Sequence, residues 1–166
     1  MRRFGARTLL VASALGGIGC YGFAGGGLPP QIHTIAVLPF DNETSQPTLQ
    51  RDLYDPMRRE LTGRLGLHEA SEAKADALVR GKIVRYDVDI PVAYSADPNL
   101  QNATTQRRLQ LTVDVDIVDQ TTGKNIWSRK GLMQEGTYAE RDEVSGRRQA
   151  VAKIVDQIVA GAQSQW

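Results

Sequence analysis

The sequence predicts an α/β fold of the α+β class, a two-layer sandwich in which two helices cover one face of a mostly antiparallel sheet. Apolar and polar residues alternate from Leu109 to Ile117, which is typical of a strand with one face in water. Two other segments, 49–65 and 143–165, repeat apolar residues at helical spacing. The predicted order of elements is β-α-β-β-β-α, within a single domain that spans 32–166.

The first strand is predicted within 32–40, because the apolar run Ile35–Leu38 is short, partly β-branched and closed by a proline. A helix follows after a polar loop and is expected to end near Gly66. Pro56 interrupts the helical pattern and leaves two interpretations: one continuous helix, or a regular helix that starts at Pro56 after a separate turn over 48–54. Either way one face packs on the sheet, and its residues are Leu49, Leu53, Met57, Leu61 and Leu65.

A long strand is predicted from Leu78 to Val92, after a short strand at 67–70 and a polar connection. Most apolar residues of the long strand have even numbers, and so do two basic residues, so a regular strand would place both kinds on one face. This mixture predicts a bulge near Gly81. The next segment, 93–105, is polar and is expected to form a mobile loop.

The alternating strand leads into a hairpin. The turn at 119–124 is short, so we expect that strand to pair with a second extended segment over 125–138. The last helix, 143–165, has one apolar face that should pack on the same sheet as the first helix. Each large side chain buried there contributes about 1.5–3 kcal/mol before conformational entropy is subtracted. The residues of this face are Val144, Val151, Ile154, Val155, Ile158, Val159 and Ala162.

Composition and motifs argue against nucleic-acid binding and against catalysis. The net charge of the 166 residues is only +1, whereas a general nucleic-acid binder carries a strong basic excess. Two histidines and one cysteine, without repeated ligand spacing, predict no metal site. Nucleophile elbows, HExxH motifs and phosphate-binding loops are absent from the sequence. We interpret the strand pairs Asp114 with Asp116 and Asp87 with Asp89 as solvated charges, and predict neither an enzyme nor a catalytic, cofactor or metal site.

The first twenty residues predict export and a lipid anchor. Basic residues precede a short apolar stretch that ends in small residues before Cys20, as in a bacterial lipoprotein signal peptide over 1–19. The stretch is shorter than the roughly 20 apolar residues that span a bilayer. Two or three acyl chains on Cys20 would hold the protein in a membrane, because each buried methylene adds about 0.8 kcal/mol.

Gly17 stands where such a signal usually has leucine, so an ordinary secretory signal cut near Gly19, with a free thiol on Cys20, is the alternative. A single leftover cysteine is unusual in an exported protein, which favours lipidation. The following residues, 20–31, are rich in glycine and proline and are expected to form a flexible tether. Tyr21 after the cysteine, rather than aspartate, indicates sorting to the outer membrane.

The order of these features resembles the LptE family of lipopolysaccharide-assembly lipoproteins. The resemblance begins with the Cys20 signal, a tether that ends Leu28-Pro29-Pro30, and the strand 34–40 with an asparagine after it. It continues through the leucine-rich helix, the segment 75–83 that leads the long strand, the hairpin and the final helix. The order and spacing of these motifs over nearly the whole chain carry the resemblance.

The resemblance implies a binding protein of the cell outer membrane, anchored at the periplasmic face through acylated Cys20. LptE-like proteins sit partly inside the large β-barrel LptD, help to assemble it and deliver lipopolysaccharide to the cell surface. The implied partners are an LptD-like barrel, lipopolysaccharide and outer-membrane lipid, without a cofactor. Arg107, Arg108 and Arg141 are the basic residues nearest to the loop regions that contact lipopolysaccharide in the family, and guanidinium groups suit phosphate. The alternative is that they are ordinary surface charges.

Two other classes of envelope lipoprotein share part of this pattern. The strand Ile35–Phe40 with Asn42 and Thr44 also resembles lipoproteins that activate peptidoglycan synthases and those that form curli-type secretion pores. A shared fold does not decide between these functions. Pore formers usually carry membrane-inserting segments and activators a long disordered tether, and neither pattern is present in this sequence.

Overall fold

Six strands and two α-helices make up the part of the chain that a computed structural model describes, residues 28–91 and 106–164. The signal peptide, Cys20, most of the tether and the whole of the predicted loop lie outside the described residues. Within them, two short strands are additional to the predicted order, one at Asp41–Asn42 and one at His68–Glu69. The second lies in the short strand predicted at 67–70. The elements are β1 (Thr34–Val37), β2 (Asp41–Asn42), α1 (Leu49–Leu65), β3 (His68–Glu69), a 3₁₀ turn (Glu72–Lys74), β4 (Ala77–Pro91), β5 (Gln106–Asp119), β6 (Asn125–Ala139) and α2 (Glu143–Gln163).

The sheet has the strand order β3-β1-β4-β5-β6, and β2 also pairs with β4. β1 runs parallel to β3 and β4, whereas the long strands β4, β5 and β6 pair antiparallel. The prediction of a mostly antiparallel sheet is confirmed. The centre of the core lies where Val113 of β5 opposes Ile83 of β4 and Leu132 of β6, since none of these side chains is more than 4% exposed.

β5 keeps the alternation that its sequence predicts. Its odd-numbered apolar residues from Leu109 to Ile117 are at most 1% exposed, and the polar residues between them are half-buried. Successive side chains of a strand point to opposite faces, so one face of β5 joins the core and the other stays open. Beyond it, the Asp119 carboxylate accepts the backbone N–H groups of Thr121 and Thr122 and shapes the predicted hairpin turn.

The predicted bulge at Gly81 is wrong in position. The register of β4 against β5 shifts first at Val84 and again within 87–90. Before the first shift odd-numbered residues such as Ile83 are buried, and beyond it the even-numbered Tyr86 packs against the core. The extra residue at Val84 therefore joins a stretch whose odd-numbered residues face the core to one in which even-numbered Tyr86 does so.

Gly81 itself is required by a close contact. A Cβ atom at this position would lie 2.2 Å from the carbonyl oxygen of Asp114 and 2.5 Å from the ring of Phe40. The Phe40 side chain is only 1% exposed and occupies the space that a larger residue would need. The glycine thus lets the segment after β1 pack tightly on the sheet.

α1 is one continuous helix, so the interpretation that starts it at Pro56 is wrong. Leu49 and Leu53, before the proline, are as fully buried as Met57 after it. Burial on both sides of the proline outweighs the hydrogen bond that a proline removes from a helix interior. The helix ends as predicted, with Gly66 in the left-handed conformation at φ 66°.

Glycines let α2 lie close to β6. A Cβ atom on Gly136 of β6 would lie 1.8 Å from the carbonyl oxygen of Gly146 in α2, and one on Gly161 would meet the Trp127 ring at 2.4 Å. The predicted apolar face of α2 is buried along most of its length. Val144 is the exception, because its side chain is 45% exposed at the start of the helix.

The two helices lie side by side on one face of the sheet and run in the same direction. Arg147 of α2 pairs with Asp52 near the start of α1, with 2.8 Å between Nε and Oδ2. Arg64 near the end of α1 pairs with Asp156 further along α2. The buried faces of both helices join the strands in one core cluster, which confirms the predicted two-layer arrangement. Among the described residues, no helix has the length and apolar character that a membrane span requires.

The described chain enters the domain at the end of the expected tether. Leu28 is partly buried against the core, and Pro29 is buried. The N–H of Ile32 donates to the Pro29 carbonyl at 2.9 Å. The last residues before β1 are therefore packed on the domain.

Candidate functional site

The three arginines predicted from the sequence point in different directions. Arg107 and Arg108 are consecutive residues of β5, so their side chains lie on opposite faces of the sheet. Arg141 lies in the turn between β6 and α2, is exposed and has a φ of 74°. It makes no ion pair with any described residue, in contrast to Arg107 and Arg108.

Acidic side chains engage both of the strand arginines. Nη1 of Arg107 lies 3.1 Å from Oδ1 of Asp89, and Nη2 lies 3.6 Å from Oε1 of Glu140. Nη1 of Arg108 lies 3.2 Å from Oε2 of Glu135. The Nε atom of Arg108 is buried and has no hydrogen-bond partner in the described part of the chain. An anionic ligand at either arginine would compete with these internal carboxylates.

A tyrosine that sequence analysis missed anchors the end of β4. The Tyr138 hydroxyl donates to Oδ1 of Asp89 at 2.8 Å and accepts the Asp89 N–H at 3.0 Å. Asp89 has a φ of 58°, a conformation that is strained for a residue with a side chain. Burial and the hydrogen bond to Asp89 raise the pKa of Tyr138 above its ordinary value, so the hydroxyl keeps its proton. The periodicity of β6 carries no signal for this role, because the two residues are 49 positions apart.

A second polar network ties β4 to both helices. The Tyr86 hydroxyl donates to Glu143 at the start of α2, and Arg147 bridges Glu143 at 3.0 Å and Asp52 of α1 at 2.8 Å. Burial raises the pKa of Tyr86. Burial lowers the pKa of Arg147, but its contacts with Tyr86 and Asp52 outweigh this and raise it overall. The network fixes the starts of the two helices above the end of the sheet.

On the open face of the sheet, the carboxylates of β5 have internal partners. Asp114 accepts the backbone N–H of Gly131 at 2.7 Å. Asp116 accepts a hydrogen bond from Ser128 and lies 3.2 Å from Nζ of Lys130. Burial raises the pKa of Asp116, but these two contacts lower it more, so it lies below the ordinary value. Each carboxylate is thus engaged within the fold, which suits a structural role better than proton transfer.

The same face carries a polar cluster at Glu135 of β6. Gln110 donates to its Oε1 at 2.7 Å. This hydrogen bond and the charge of Arg108 hold the pKa of Glu135 below its ordinary value, although partial burial acts in the opposite direction. In the described ranges, no group of three or more His, Cys, Asp or Glu residues is placed to hold a metal ion. The geometry supplies paired charges on the open face of the sheet.

The described domain as a whole matches a known family. The family model described as LptE, lipopolysaccharide-assembly, matches residues 32–160, which include all six strands and most of α2. The chain belongs to the LptE family. The resemblance inferred from the order of motifs is therefore confirmed. A comparison of this LptE chain with curated proteins finds no match.

Solved structures share the fold of this LptE chain. A minor lipoprotein from Acinetobacter baumannii is similar with a TM-score of 0.53 and 16% identity, over 82% of this chain and 94% of that chain. A hypothetical protein from Chlamydia trachomatis has a TM-score of 0.52 and 12% identity, over 80% of this chain and 96% of that chain. A protein from Xanthomonas campestris has a TM-score of 0.52 and 11% identity, over 84% of this chain and 90% of that chain. At these identities the likeness shows the fold alone.

As a member of the family, this LptE chain has the family-level role, which is lipopolysaccharide transport and outer-membrane assembly. Members of the family are lipoproteins of the envelope, in agreement with the lipoprotein character expected from the sequence.

Proposed function

We propose that this LptE chain is acylated at Cys20, faces the periplasm from the outer membrane, and assists an LptD-like barrel in delivering lipopolysaccharide to the outer leaflet. One observation carries the proposal: the match to the lipopolysaccharide-assembly family extends over residues 32–160. The chain acts by binding and not by catalysis. The internal pairing of the strand carboxylates supports this, because they are engaged with neighbouring side chains and backbone.

The open sheet face suits a protein that lies partly inside a water-filled barrel. It is mostly polar, although Met133 and Val84 are exposed on it, and its charges are paired within the face, as in Lys130 with Asp116 and Arg108 with Glu135. Such a face tolerates water and neighbouring polar groups without a large exposed apolar patch. Behind it, the contact of Gly136 with Gly146 holds α2 tightly against β6 and supports a rigid body.

A crosslinked pull-down of the full-length lipoprotein, from the detergent-solubilised outer membrane of its native host, tests the partner. We expect mass spectrometry to identify a large LptD-like barrel. Recovery of a peptidoglycan synthase without a barrel would replace the proposal by the synthase-activator function. Recovery of a homo-oligomeric ring alone would replace it by the secretion-pore function.

Lipid anchoring has its own test at Cys20. We expect the intact mass of the membrane-extracted protein to include the acyl chains of a bacterial lipoprotein. The Cys20→Ala variant should lose that mass and leave the membrane fraction. A wild-type protein without acyl mass would favour an ordinary secretory signal.

Lipopolysaccharide contact is proposed at Arg107, Arg108 and Arg141. We expect a variant with all three changed to Glu to bind lipid A at least roughly tenfold more weakly, because a hydrogen bond to a charged group contributes about 1.5–3 kcal/mol. Fluorescence titration measures the affinity, with the variant in which Lys74, Lys124 and Arg129 become Glu as the control that has the same change in net charge. Arg141→Glu alone should account for much of the loss, since Arg107 and Arg108 are engaged by internal acids. Unchanged affinity in the triple variant would remove this part of the proposal.

A further inference from the structure

A groove runs between the outer surfaces of α1 and α2. Its volume is about 570 Å³, within the range of sites that hold a small ligand or a few side chains. Pro56, Val144 and Ala152 contribute apolar surface to it. Val144 is 45% exposed, so apolar surface at this end of the groove is open to solvent.

Two ion pairs join the helices along the groove. Arg147 pairs with Asp52 near the starts of the helices, and Arg64 pairs with Asp156 further along. From Asp52 to Arg64 the axis of α1 rises about 18 Å, at about 1.5 Å per residue. The groove is therefore an elongated surface along the two helices.

Three exposed arginines line the groove without an ion pair to any described residue: Arg51, Arg59 and Arg148. Three of the four acids that line it are already engaged by Arg147 or Arg64. The fourth acid, Asp55, lies four residues from both Arg51 and Arg59 and makes no ion pair with a described residue. The groove therefore presents three unpaired guanidinium groups and one unpaired carboxylate, which is a net positive set of unpaired charges. Carboxylates are suitable partners for such groups, because a guanidinium can donate two parallel hydrogen bonds to each.

The spacing of these arginines favours a polypeptide over a single anionic group. Arg51 and Arg59 are separated by about 12 Å along α1, so they do not converge on one phosphate. Arg148 lies across the groove on α2. A polypeptide can present carboxylates at separate points along such a length while its apolar side chains cover the surface between them.

We propose that the α1–α2 groove binds an acidic segment of a protein partner. Its carboxylates pair with Arg51, Arg59 and Arg148, and its apolar side chains cover Val144 and Ala152. The identity of the partner rests on the proposed function, by which the segment belongs to the barrel protein. The groove and its chemistry come from the geometry of the helices alone.

Site-specific photocrosslinking in the native host tests the groove. A benzoylphenylalanine placed at Ala152 of the full-length lipoprotein puts the probe between the helices without removing an ion pair. We expect ultraviolet light to link it to the barrel protein, within a peptide that contains several Asp or Glu residues. The same probe at Thr121, in the turn between β5 and β6, is the positional control and should not capture that peptide.

Charge reversal separates pairing from mere proximity. In the variant with Arg51, Arg59 and Arg148 all changed to Glu, we expect the Ala152 adduct to fall at least roughly tenfold, since like charges now face each other. The control variant, in which Lys74, Lys124 and Arg129 become Glu, has the same change in net charge and should keep the adduct. Neither set of side chains makes an ion pair within the described residues, so circular dichroism should show folded protein with similar Tm in both variants.

Each remaining outcome is decisive. An adduct that survives charge reversal, or an adduct with lipid in place of a peptide, overturns the inference. A barrel that co-purifies without any adduct at Ala152 also overturns it, while the proposed function stands. If no barrel co-purifies but an identified acidic peptide of another envelope protein is captured in a charge-dependent manner, the groove stands and the proposed function falls. If neither a barrel nor an acidic peptide is captured, the inference about the groove and the proposed function both fall.

Discussion

Asp76 holds the start of β1 against the segment that leads into β4. Its Oδ2 accepts the backbone N–H groups of His33 at 2.9 Å and Thr34 at 2.8 Å, together with the Thr34 hydroxyl at 2.8 Å. The His33 and Thr34 hydrogen bonds lower the pKa of Asp76, because they favour its charged form. This carboxylate therefore links folding to pH.

We expect Asp76→Asn to be less stable than the wild type at pH 7 and to lose less of its stability in acid. A carboxyl group whose pKa is lowered by folding adds stability above its unfolded pKa of about 4, and this stability is lost as pH falls through the folded value. Thermal unfolding at pH 7, 5 and 3 measures the difference in Tm, with Asp55→Asn as control. A difference that stays the same at all three values would contradict the role of ionised Asp76.

Gly81→Ala tests the contact with Phe40. We expect a loss of about 1–3 kcal/mol in the free energy of unfolding, because the new Cβ meets a backbone oxygen as well as a ring. Gly63→Ala is the matched control in α1, where a Cβ meets nothing within 4 Å. It should stabilise the protein by about 0.5–1 kcal/mol, since alanine favours the helix. Denaturant unfolding measures both changes, and equal effects of the two substitutions would contradict the packing at Gly81.

The sequence alone predicted the basic residues at the end of the sheet as candidate ligand contacts. It did not predict that acidic side chains of the same fold would pair with them. Asp89 and Glu140 reach Arg107 from β4 and from the turn after β6. Glu135 engages Arg108 from the neighbouring strand. These pairs depend on strand register and on a bulge, which no local charge pattern encodes.

At the scale of elements, α2 both covers the core and protects the edge of the sheet. Nζ of Lys153 donates to the backbone carbonyl of Glu135 at 2.8 Å, and Oε1 of Gln149 accepts the Thr137 N–H at 3.3 Å. These contacts satisfy backbone groups that an edge strand would otherwise present to another chain. The close approach at Gly136 makes them attainable for the helix side chains.

The end of the β4–β5 ribbon depends on Tyr138. In Tyr138→Phe we expect the Asp89 amide to exchange its hydrogen roughly fivefold faster, because a hydrogen bond of about 1 kcal/mol is lost. Hydrogen-exchange mass spectrometry measures this rate. Tyr54→Phe, in α1, is the control and should leave Asp89 unchanged. Unaltered exchange in the Tyr138 variant would show that the hydroxyl does not hold the ribbon.

The spacing of apolar residues predicted those helices and strands whose buried residues can be recognised within their own segment of the sequence. β5 and α2 carry their burial in their own sequence, and α1 does so across Pro56 once its buried leucines are counted on both sides. The parallel position of β1 is different, because it joins Ile35 to Glu69 on one side and to Ala77 on the other. Contacts between such distant residues are decided by packing and not by spacing.

At the scale of the whole molecule, the two layers present different surfaces. The open sheet face pairs its own charges and suits contact with water. The helical face carries the α1–α2 groove and arginines that make no ion pair in the described ranges. In the proposed function, the first surface would face the aqueous lumen of the barrel and the second would bind the partner segment.

Depletion of the protein in its native host, followed by measurement of newly made lipopolysaccharide at the cell surface, tests its role in lipopolysaccharide assembly most directly. We expect surface lipopolysaccharide to fall while it accumulates inside the cell envelope, and a plasmid copy of the wild type to restore it. Normal surface lipopolysaccharide in depleted cells, together with a defect in peptidoglycan synthesis or in secretion, would contradict that role.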